Sequence, residues 1–206
     1  MALPSLTVFD IETTGLDPRK GHRIVELAGV RIENGIITNK TFSTFVNPER
    51  PIPPEARQVN HISDGDVATA PTIMTVLPEF LSFAQGTILF AHNASFDMGF
   101  LECEKDFCWG YVELPECFCS MRLSQSLYPT AFRHSLDILS ERFGMPLPDG
   151  RHRALPDVLQ TAQILLKMID FGKIQSCDEL RRRARLAPTS HPSASLGMTM
   201  PRLAVR

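Results

Sequence analysis

Apolar residues recur along the chain in two patterns, short continuous runs typical of strands and longer stretches with helical spacing. Three β-rich runs, at residues 6–9, 24–32 and 36–46, predict strands. Asn34 and Gly35 lie between the last two runs and predict a hairpin turn, because both residue types tolerate a positive φ. The first part of the chain is therefore predicted to form an antiparallel meander of three strands.

Beyond residue 46 the pattern changes to a loop and then to helices that alternate with one more strand. Four prolines at residues 47–54 predict an extended loop. A short apolar run at residues 87–91 predicts a buried strand. Apolar residues at helical spacing predict helices at residues 71–84, 120–127, 136–143 and 154–171. A hairpin followed by alternating strands and helices predicts an α/β domain with helices packed on a mixed sheet.

The composition suits one domain with an appended tail. The chain has 206 residues and 43% of them are hydrophobic, which is enough for a sizeable core. We predict a domain over residues 1–172 and a tail over residues 173–206, basic first and then rich in Pro and Ser, with the last ~20 residues flexible. The arginines at residues 181–185 are interpreted as a solvated helix end, with phosphate contact as the less favoured alternative.

Net charge, cysteine count and the lengths of the apolar runs bear on polyanion binding, on cellular location and on the state of the thiols. A net charge of −2 neither favours nor excludes binding to polyanions such as nucleic acids, since local basic residues or metal ions can supply positive charge. We find no signal peptide and no apolar run of the roughly 18–20 residues that span a membrane, which predicts a cytoplasmic protein without membrane contact. The odd cysteine count favours free thiols over a zinc site; the residues are Cys103, Cys108, Cys117, Cys119 and Cys177.

Acidic residues follow both predicted buried strands of the core. Asp10 and Glu12 are two residues apart after an apolar strand, so their side chains point to the same face. Carboxylates beside a core strand usually coordinate a ligand or take part in chemistry, whereas the alternative is a solvated turn. Asp97 follows the second strand and opens a helix, where stabilisation of the helix N-terminus is the alternative explanation.

A histidine and an aspartate form the third polar element. His152 and Asp157 would lie about 140° apart on a continuous helix, so they converge only if the histidine lies in the preceding loop. Gly150 indicates such a loop, and Pro156 suits the first turn of the following helix. A histidine of ordinary pKa can act as a general base at neutral pH. Four converging carboxylates need cations, and oxygen ligands select Mg²⁺ or Mn²⁺.

Three motifs in this order resemble those of the DEDDh 3′→5′ exonucleases, especially the epsilon-type proofreading members. They are Phe-Asp-Ile-Glu-Thr-Thr-Gly-Leu at residues 9–16, His-Asn-Ala-Ser-Phe-Asp at residues 92–97, and His152 with Asp157. The resemblance covers residues 5–170 and implies a ribonuclease H-like fold, a five-stranded mixed sheet flanked by helices. It also implies four metal ligands, Asp10, Glu12, Asp97 and Asp157, with His152 as general base.

The resemblance further assigns residues to the substrate. It implies that Thr13 bonds the sugar of the 3′-terminal nucleotide, that Leu16 wedges against the bases, and that three residues line the strand's path: His92, Asn93 and Phe96. Core packing is the alternative for Leu16 and Phe96. His61 lies one place later than the epsilon pattern predicts, so it receives no role. No glutamine-led clamp-binding motif follows the domain, which weakens the case for a replicative polymerase subunit.

The predicted function is hydrolysis of phosphodiester bonds at 3′ ends, with two divalent cations, Mg²⁺ or Mn²⁺, and release of nucleoside 5′-monophosphates. Single-stranded DNA is the favoured substrate, and a DNA polymerase subunit is a possible partner. RNA or short oligoribonucleotides are the alternative substrate, because discrimination at the 2′-OH depends on pocket shape. A binding module without catalysis is a less favoured alternative, because all five catalytic-type positions are filled.

Overall fold

The computed structural model describes residues 3–108, 113–148, 150 and 152–186. Within these residues five strands form one mixed sheet, in the order β3-β2-β1-β4-β5. The strands are β1 (Leu6–Thr13), β2 (Ile24–Glu33), β3 (Ile36–Phe45), β4 (Ile88–Ala91) and β5 (Cys117–Cys119). The predicted five-stranded mixed sheet is thus confirmed, although β5 was not predicted from the sequence pattern.

The meander at the start of the chain is also confirmed. Strand β2 pairs antiparallel with both β1 and β3, and the turn at Asn34 and Gly35 has φ values of 53° and 74°. Strands β4 and β5 add parallel to β1 and to β4 respectively. Because parallel neighbours need crossover connections, helices cover the faces of the sheet on this side.

The described residues contain eight α-helices. They are α1 (Pro54–Asn60), α2 (Asp64–Val67), α3 (Ile73–Phe83), α4 (Ser95–Glu104), α5 (Ser120–Leu127), α6 (Leu136–Arg142), α7 (Ala154–Phe171) and α8 (Cys177–Ala184). Helices α5 and α7 have the predicted bounds, and α3 and α6 are slightly shorter than predicted. Helices α1 and α2 were not predicted, and α8 was predicted only as a helix end at its arginines.

The central strand β1 is buried on both faces. Leu6 and Val8 belong to the core beneath α5, α6, α7 and α8, whereas Phe9 and Ile11 belong to the core beneath α3 and α4. Since side chains alternate along a strand, Asp10 and Glu12 follow the parity of Leu6 and Val8. The two carboxylates therefore share the face of the sheet that α7 covers.

Helix α8 packs on the domain. Leu180 and Ala184 are fully buried in the core beneath α7, and complete burial of a leucine is worth about 1.5–3 kcal/mol. Its arginines form ion pairs rather than a bare solvated cluster: Arg181 and Arg185 pair with Glu116, and Arg183 pairs with Glu179. The domain boundary at residue 172 stays a prediction. The predicted flexible tail falls largely on residues 187–206, which lie outside the described residues.

All five cysteines are free thiols, as predicted. Cys117 and Cys119 are buried in β5, and burial raises the pKa of the Cys117 thiol well above its usual range. In the described part of the chain, the cysteines form no group with metal-ligand spacing, so the zinc alternative has no structural support. None of the described helices is both long enough and apolar enough to cross a membrane.

Candidate active site

The acidic site forms where β1 projects beyond its parallel neighbour. Pairing of β1 with β4 extends only to Val8 and Phe90, whereas pairing with β2 continues to Thr13. The strand is longer than predicted and includes both Asp10 and Glu12. The two carboxylates therefore stand on a fixed backbone at the carboxyl end of the central strand, where the parallel neighbour leaves an open edge.

Helix α7 brings a third carboxylate to this edge. Asp157 lies in the first turn of α7, directly after Pro156, and is 8% exposed. One carboxylate oxygen each of Asp10, Glu12 and Asp157 lies within 4.8 Å of the others. Three anionic oxygen donors at this spacing fit a hard divalent cation and do not suit a soft metal.

Asp97 approaches the same site from the first turn of α4. It is 2% exposed, and the backbone N–H groups of Ile11 and of Asp97 itself favour its ionised form. Asp97 is not part of the 4.8 Å group, but its charge raises the pKa values of both Asp10 and Glu12.

Asn93 and Ser95, the polar residues before and at the start of α4, do not cap the helix with their side chains. Ala94 is the N-cap residue and makes no side-chain cap bond, while the Ser95 hydroxyl donates a 3.4 Å bond to Asn93 Oδ1. Asn93 itself adopts a positive φ of 55°. The polar side chains before α4 are therefore not used to cap the helix.

His152 lies in the bend before α7, close to the aspartate with which the sequence groups it. Its backbone N–H donates a 3.2 Å hydrogen bond to Asp157 Oδ2. The residue is exposed and has a φ of 61°, a conformation that costs free energy in a residue other than glycine. The bend thus ties the His152 backbone to a member of the acidic cluster and leaves its side chain exposed.

Burial and mutual repulsion make the cluster hard to ionise. Burial raises the pKa of Asp10 well above its usual range, and the charges of Asp97, Glu12 and Asp157 add to the effect. Burial, followed by the charge of Glu26, raises the pKa of Glu12 to about 8. Burial raises the pKa of Asp97 to about 7 against the opposing backbone hydrogen bonds. A bound cation would remove this penalty, so the donor set fits a divalent metal.

The turn after β1 exposes Leu16. Thr14 N–H donates to the Arg23 carbonyl at 2.8 Å, and the Arg23 N–H returns a 2.9 Å bond to Thr14 Oγ1. The His22 ring occupies the space where a side chain on Gly15 would stand, so only glycine fits there. The result is a rigid turn that holds the Leu16 side chain 84% exposed, which rules out the core-packing alternative for this residue.

Two clefts share Leu16 and Phe96 in their linings, and the first adjoins the acidic cluster. The first has a volume of about 310 Å³ and includes Glu12, Thr13 and Asn60 in its lining. The second has a volume of about 340 Å³ and lies on the side of Arg19 and Ser95, among others. Phe96 is partly buried against Phe100, with ring centroids 5.1 Å apart, so core packing explains part of its role.

The remaining predicted substrate residues lie near these clefts or on the loop after β4. Thr13 is 9% exposed and its hydroxyl donates a 2.7 Å bond to the Gly15 carbonyl, which leaves its oxygen able to accept. His92 Nδ1 lies 2.7 Å from Ser120 Oγ at the start of α5, a contact that fixes the ring orientation. Their roles in binding stay predictions.

Asn60 is a site residue that the sequence reasoning missed. Its side chain is 2% exposed, donates to the Thr13 carbonyl at 3.2 Å and accepts from the Ile62 N–H at 3.1 Å. His61, by contrast, is exposed and ends α1 with a φ of 59°. The side chain of His61 is thus exposed, whereas Asn60 supports the end of β1. The one sequence signal of this arrangement is that His61 lies one place later than the epsilon pattern predicts.

Comparison with known proteins identifies the family. A family model described as Exonuclease (RNase_T) matches residues 7–165. The chain belongs to this exonuclease family. The DNA polymerase III subunit epsilon of Rickettsia prowazekii is 34% identical over 188 residues, which cover 86% of this chain and 81% of that protein. The chain is therefore an epsilon-like nuclease of the DEDDh type, as the motifs predicted.

Other relatives are much longer than this chain. The DNA polymerase III subunit epsilon-like protein of Rhodobacter capsulatus is 39% identical over 193 residues, and the chain spans 27% of its length. A DNA polymerase III of the PolC type from Caldanaerobacter subterraneus is 40% identical over 163 residues, and the chain spans 11% of its length. The match to each of these relatives therefore covers only a minor part of its length.

Solved structures confirm the ribonuclease H-like fold. Exonuclease X in complex with 5′ overhanging duplex DNA superposes with a TM-score of 0.68 at 31% identity, covering 85% of this chain and 96% of that one. A full-length 3′-exonuclease gives a TM-score of 0.73 at 22% identity, covering 84% of this chain and 62% of that one. The second likeness supports the fold alone.

Proposed function

We propose that this nuclease removes nucleotides one at a time from the 3′ ends of single-stranded DNA and releases nucleoside 5′-monophosphates. One observation carries the proposal. Carboxylate oxygens of Asp10, Glu12 and Asp157 meet within 4.8 Å, and the backbone of His152 is bonded to the last of them. A buried acidic cluster with an adjacent exposed imidazole is the donor set that hydrolysis of a phosphodiester needs.

Asp10, Glu12, Asp97 and Asp157 would hold two divalent cations, Mg²⁺ or Mn²⁺, at the carboxyl end of β1. Such ions, when bound, would supply charge neutralisation at the scissile phosphate and lower the pKa of a water molecule. The protein's part is to hold the four acids close together, where bound cations would favour their ionised forms. Fixing them on β1, α4 and α7 means that no rearrangement is needed before the cations bind.

His152 is proposed to take the proton of the attacking water on an imidazole nitrogen. The water oxygen then bonds to phosphorus, the bond from phosphorus to the 3′-oxygen of the preceding nucleotide breaks, and that oxygen takes a proton from solvent. The products are a nucleoside 5′-monophosphate and a strand one nucleotide shorter with a new 3′-hydroxyl. The exposed position of His152 allows the proton to pass on to solvent.

The two clefts suggest how the 3′ end is held. The terminal nucleotide would occupy the cleft beside Glu12, with Thr13 bonding its sugar. Leu16 and Phe96, which line both clefts, would separate its base from the preceding one. His92 and Asn93, on the loop after β4, would border the path of the strand.

The relatives support a proofreading role. Proteins called DNA polymerase III subunit epsilon are among them, so association with a DNA polymerase is the proposed setting. RNA is the alternative substrate, because a solved relative in fold recognises a histone mRNA stem-loop. A binding module without catalysis is disfavoured by the complete acidic cluster. The cytoplasmic location stays a prediction.

A degradation assay tests the proposal. Wild-type protein with Mn²⁺ or Mg²⁺ is incubated with a 5′-labelled single-stranded DNA and with its RNA counterpart. Asp157→Asn keeps the shape of a proposed ligand's side chain but removes its charge. Asp170→Asn is the matched control on the exposed end of the same helix, where the aspartate side chain is 87% exposed. We expect a ladder that shortens from the 3′ end with wild type and Asp170→Asn only. Intact strands with folded wild type would refute the function.

A further inference from the structure

A fifth carboxylate lies beside the acidic cluster and is not among the proposed ligands. Glu26 of β2 is the direct cross-strand partner of Glu12 on β1, and it is 4% exposed. Two acidic residues directly opposite each other on an antiparallel pair repel, and burial strengthens that repulsion. A buried carboxylate at this position therefore needs hydrogen-bond donors or a cation to offset the repulsion, and its presence calls for a structural or functional explanation.

The partners of Glu26 all come from the start of α7. Arg153 Nε donates to Oε2 at 3.0 Å and its terminal nitrogen donates to Oε1 at 2.9 Å, and the Ala154 N–H donates to Oε2 at 3.1 Å. The guanidinium also lies 5.0 Å from the centre of the Phe45 ring. Glu26 thus serves as the missing cap of α7, whose N-cap residue makes no side-chain cap bond of its own.

This anchor lies between the two functional residues of the third motif. Arg153 directly follows His152, and its carbonyl accepts a 3.3 Å bond from the Asp157 N–H. The His152 N–H bonds the Asp157 carboxylate in turn. Since His152 adopts a positive φ, the bend holds this shape only where its surroundings fix it. The ion pair to β2 supplies that fixation on the far side of the bend.

We propose that Glu26 and Arg153 form a positioning pair that joins the His152–Asp157 segment to β2 and so sets its place relative to Asp10 and Glu12. The proposal rests on the proposed function for its catalytic part. The competing explanation is that Arg153, whose side chain is 37% exposed, binds a DNA phosphate. Neither residue is a proposed ligand or proton acceptor; both act through the segment that they hold.

A second ion pair of the same chemistry provides the control. Arg181 of α8 binds Glu116 with the same fork, at 3.0 Å from Nε and 3.1 Å from a terminal nitrogen. Glu116 directly precedes β5, whereas the acidic cluster lies at the carboxyl ends of the parallel strands. Arg181→Ala therefore removes an equivalent pair at the opposite end of the sheet.

The test compares Arg153→Ala, Arg153→Lys and Arg181→Ala with wild type in two measurements. The first is Mn²⁺ binding to DNA-free protein, followed by calorimetry and by the rise in melting temperature. The second is kcat and KM on a 5′-labelled single-stranded DNA. Residues that orient metal ligands typically contribute about 10–100-fold to metal affinity or activity. We expect Arg153→Ala to weaken Mn²⁺ binding and lower kcat by about this factor, with KM little changed.

The direction of the change in Mn²⁺ affinity distinguishes a positioning role of Arg153 from a purely electrostatic one. Removing a positive charge near four acids should tighten Mn²⁺ binding if only charge matters, so tighter or unchanged binding overturns the proposal. A loss confined to KM that grows with salt also overturns it, because that is the signature of a phosphate contact. Arg153→Lys keeps the positive charge but loses the two parallel hydrogen bonds to Glu26, so we expect it to restore only part of kcat. Should Arg153→Ala fail to fold, the lysine variant is expected to fold and serves as the test.

Failure of the proposed function is distinguishable from failure of this inference. If wild type degrades no strand, the exonuclease proposal fails, yet the Mn²⁺ comparison still decides whether the pair positions the acids. If wild type is active and Arg153→Ala matches Arg181→Ala in both measurements, the inference fails and the function stands.

Discussion

Replacing Glu12 with glutamine should stabilise the metal-free protein at neutral pH. Glu12 stands opposite Glu26 on β2, and the charges of Asp157 and Asp97 also oppose its ionisation. Burial is the largest cause of its raised pKa, and the Arg153 guanidinium opposes the rise. Glutamine preserves the shape of the side chain and removes the charge that the folded state disfavours.

The magnitude follows from the shift in pKa. The pKa of Glu12 is about 8 in the folded protein against 4.5 for the ordinary side chain. The folded state therefore binds more protons than the unfolded state between these values, and stability falls as pH rises through that window. At pH 7 folding therefore costs about 3 kcal/mol at this position, because the folded state still holds the proton that the unfolded chain has lost and one unit of pKa is worth about 1.4 kcal/mol.

Urea unfolding in the presence of EDTA measures this effect. We expect Glu12→Gln to exceed wild type by about 3 kcal/mol at pH 7 and to match it near pH 4.5, whereas Glu79→Gln, an exposed change on α3, alters neither value. Asp10 and Asp97 shift in the same direction, so the variant keeps part of the pH dependence. Equal stability of variant and wild type at pH 7 would refute the reasoning.

Three further changes have distinct expected outcomes. His152→Ala should lower kcat by about 10²–10⁴-fold with an unchanged melting temperature, since the side chain is exposed; an unchanged kcat would remove it as the base. Leu16→Ala should leave urea stability within about 0.5 kcal/mol, because the residue is 84% exposed, but should raise KM for single-stranded DNA. Asn60→Ala should cost about 1–3 kcal/mol in the same unfolding assay, because the buried Thr13 carbonyl loses its donor; a neutral change would contradict the assigned bond.

The elements that the sequence predicted well are those with strong local signals. The hairpin at Asn34 follows from residue types that accept its φ, and the long amphipathic stretch of α7 specifies its own bounds. The two acids of β1 were visible because carboxylates interrupt an apolar strand. Each signal lies within a few residues, so no knowledge of distant contacts was needed.

The elements that were missed depend on distant contacts. Strand β5 has only three residues and forms because it pairs with β4, where Phe118 lies opposite Phe90. The anchor of α7 joins Glu26 to Arg153 across 127 positions of sequence. Glu26 also interrupts an apolar run, but no local pattern indicates that Arg153 is its partner. Asn60 was missed for the same reason, since its partner lies in β1.

The most direct test of the account labels the 3′-terminal nucleotide of a single-stranded DNA and follows the first turnover in Mn²⁺. The account predicts that wild type releases the label at once as a nucleoside 5′-monophosphate, and that Asp10→Ala, shown to be folded, releases none. Release of the label in longer oligonucleotides, or equal release by the variant, would contradict the claim that the acidic cluster on β1 cleaves single nucleotides from the 3′ end.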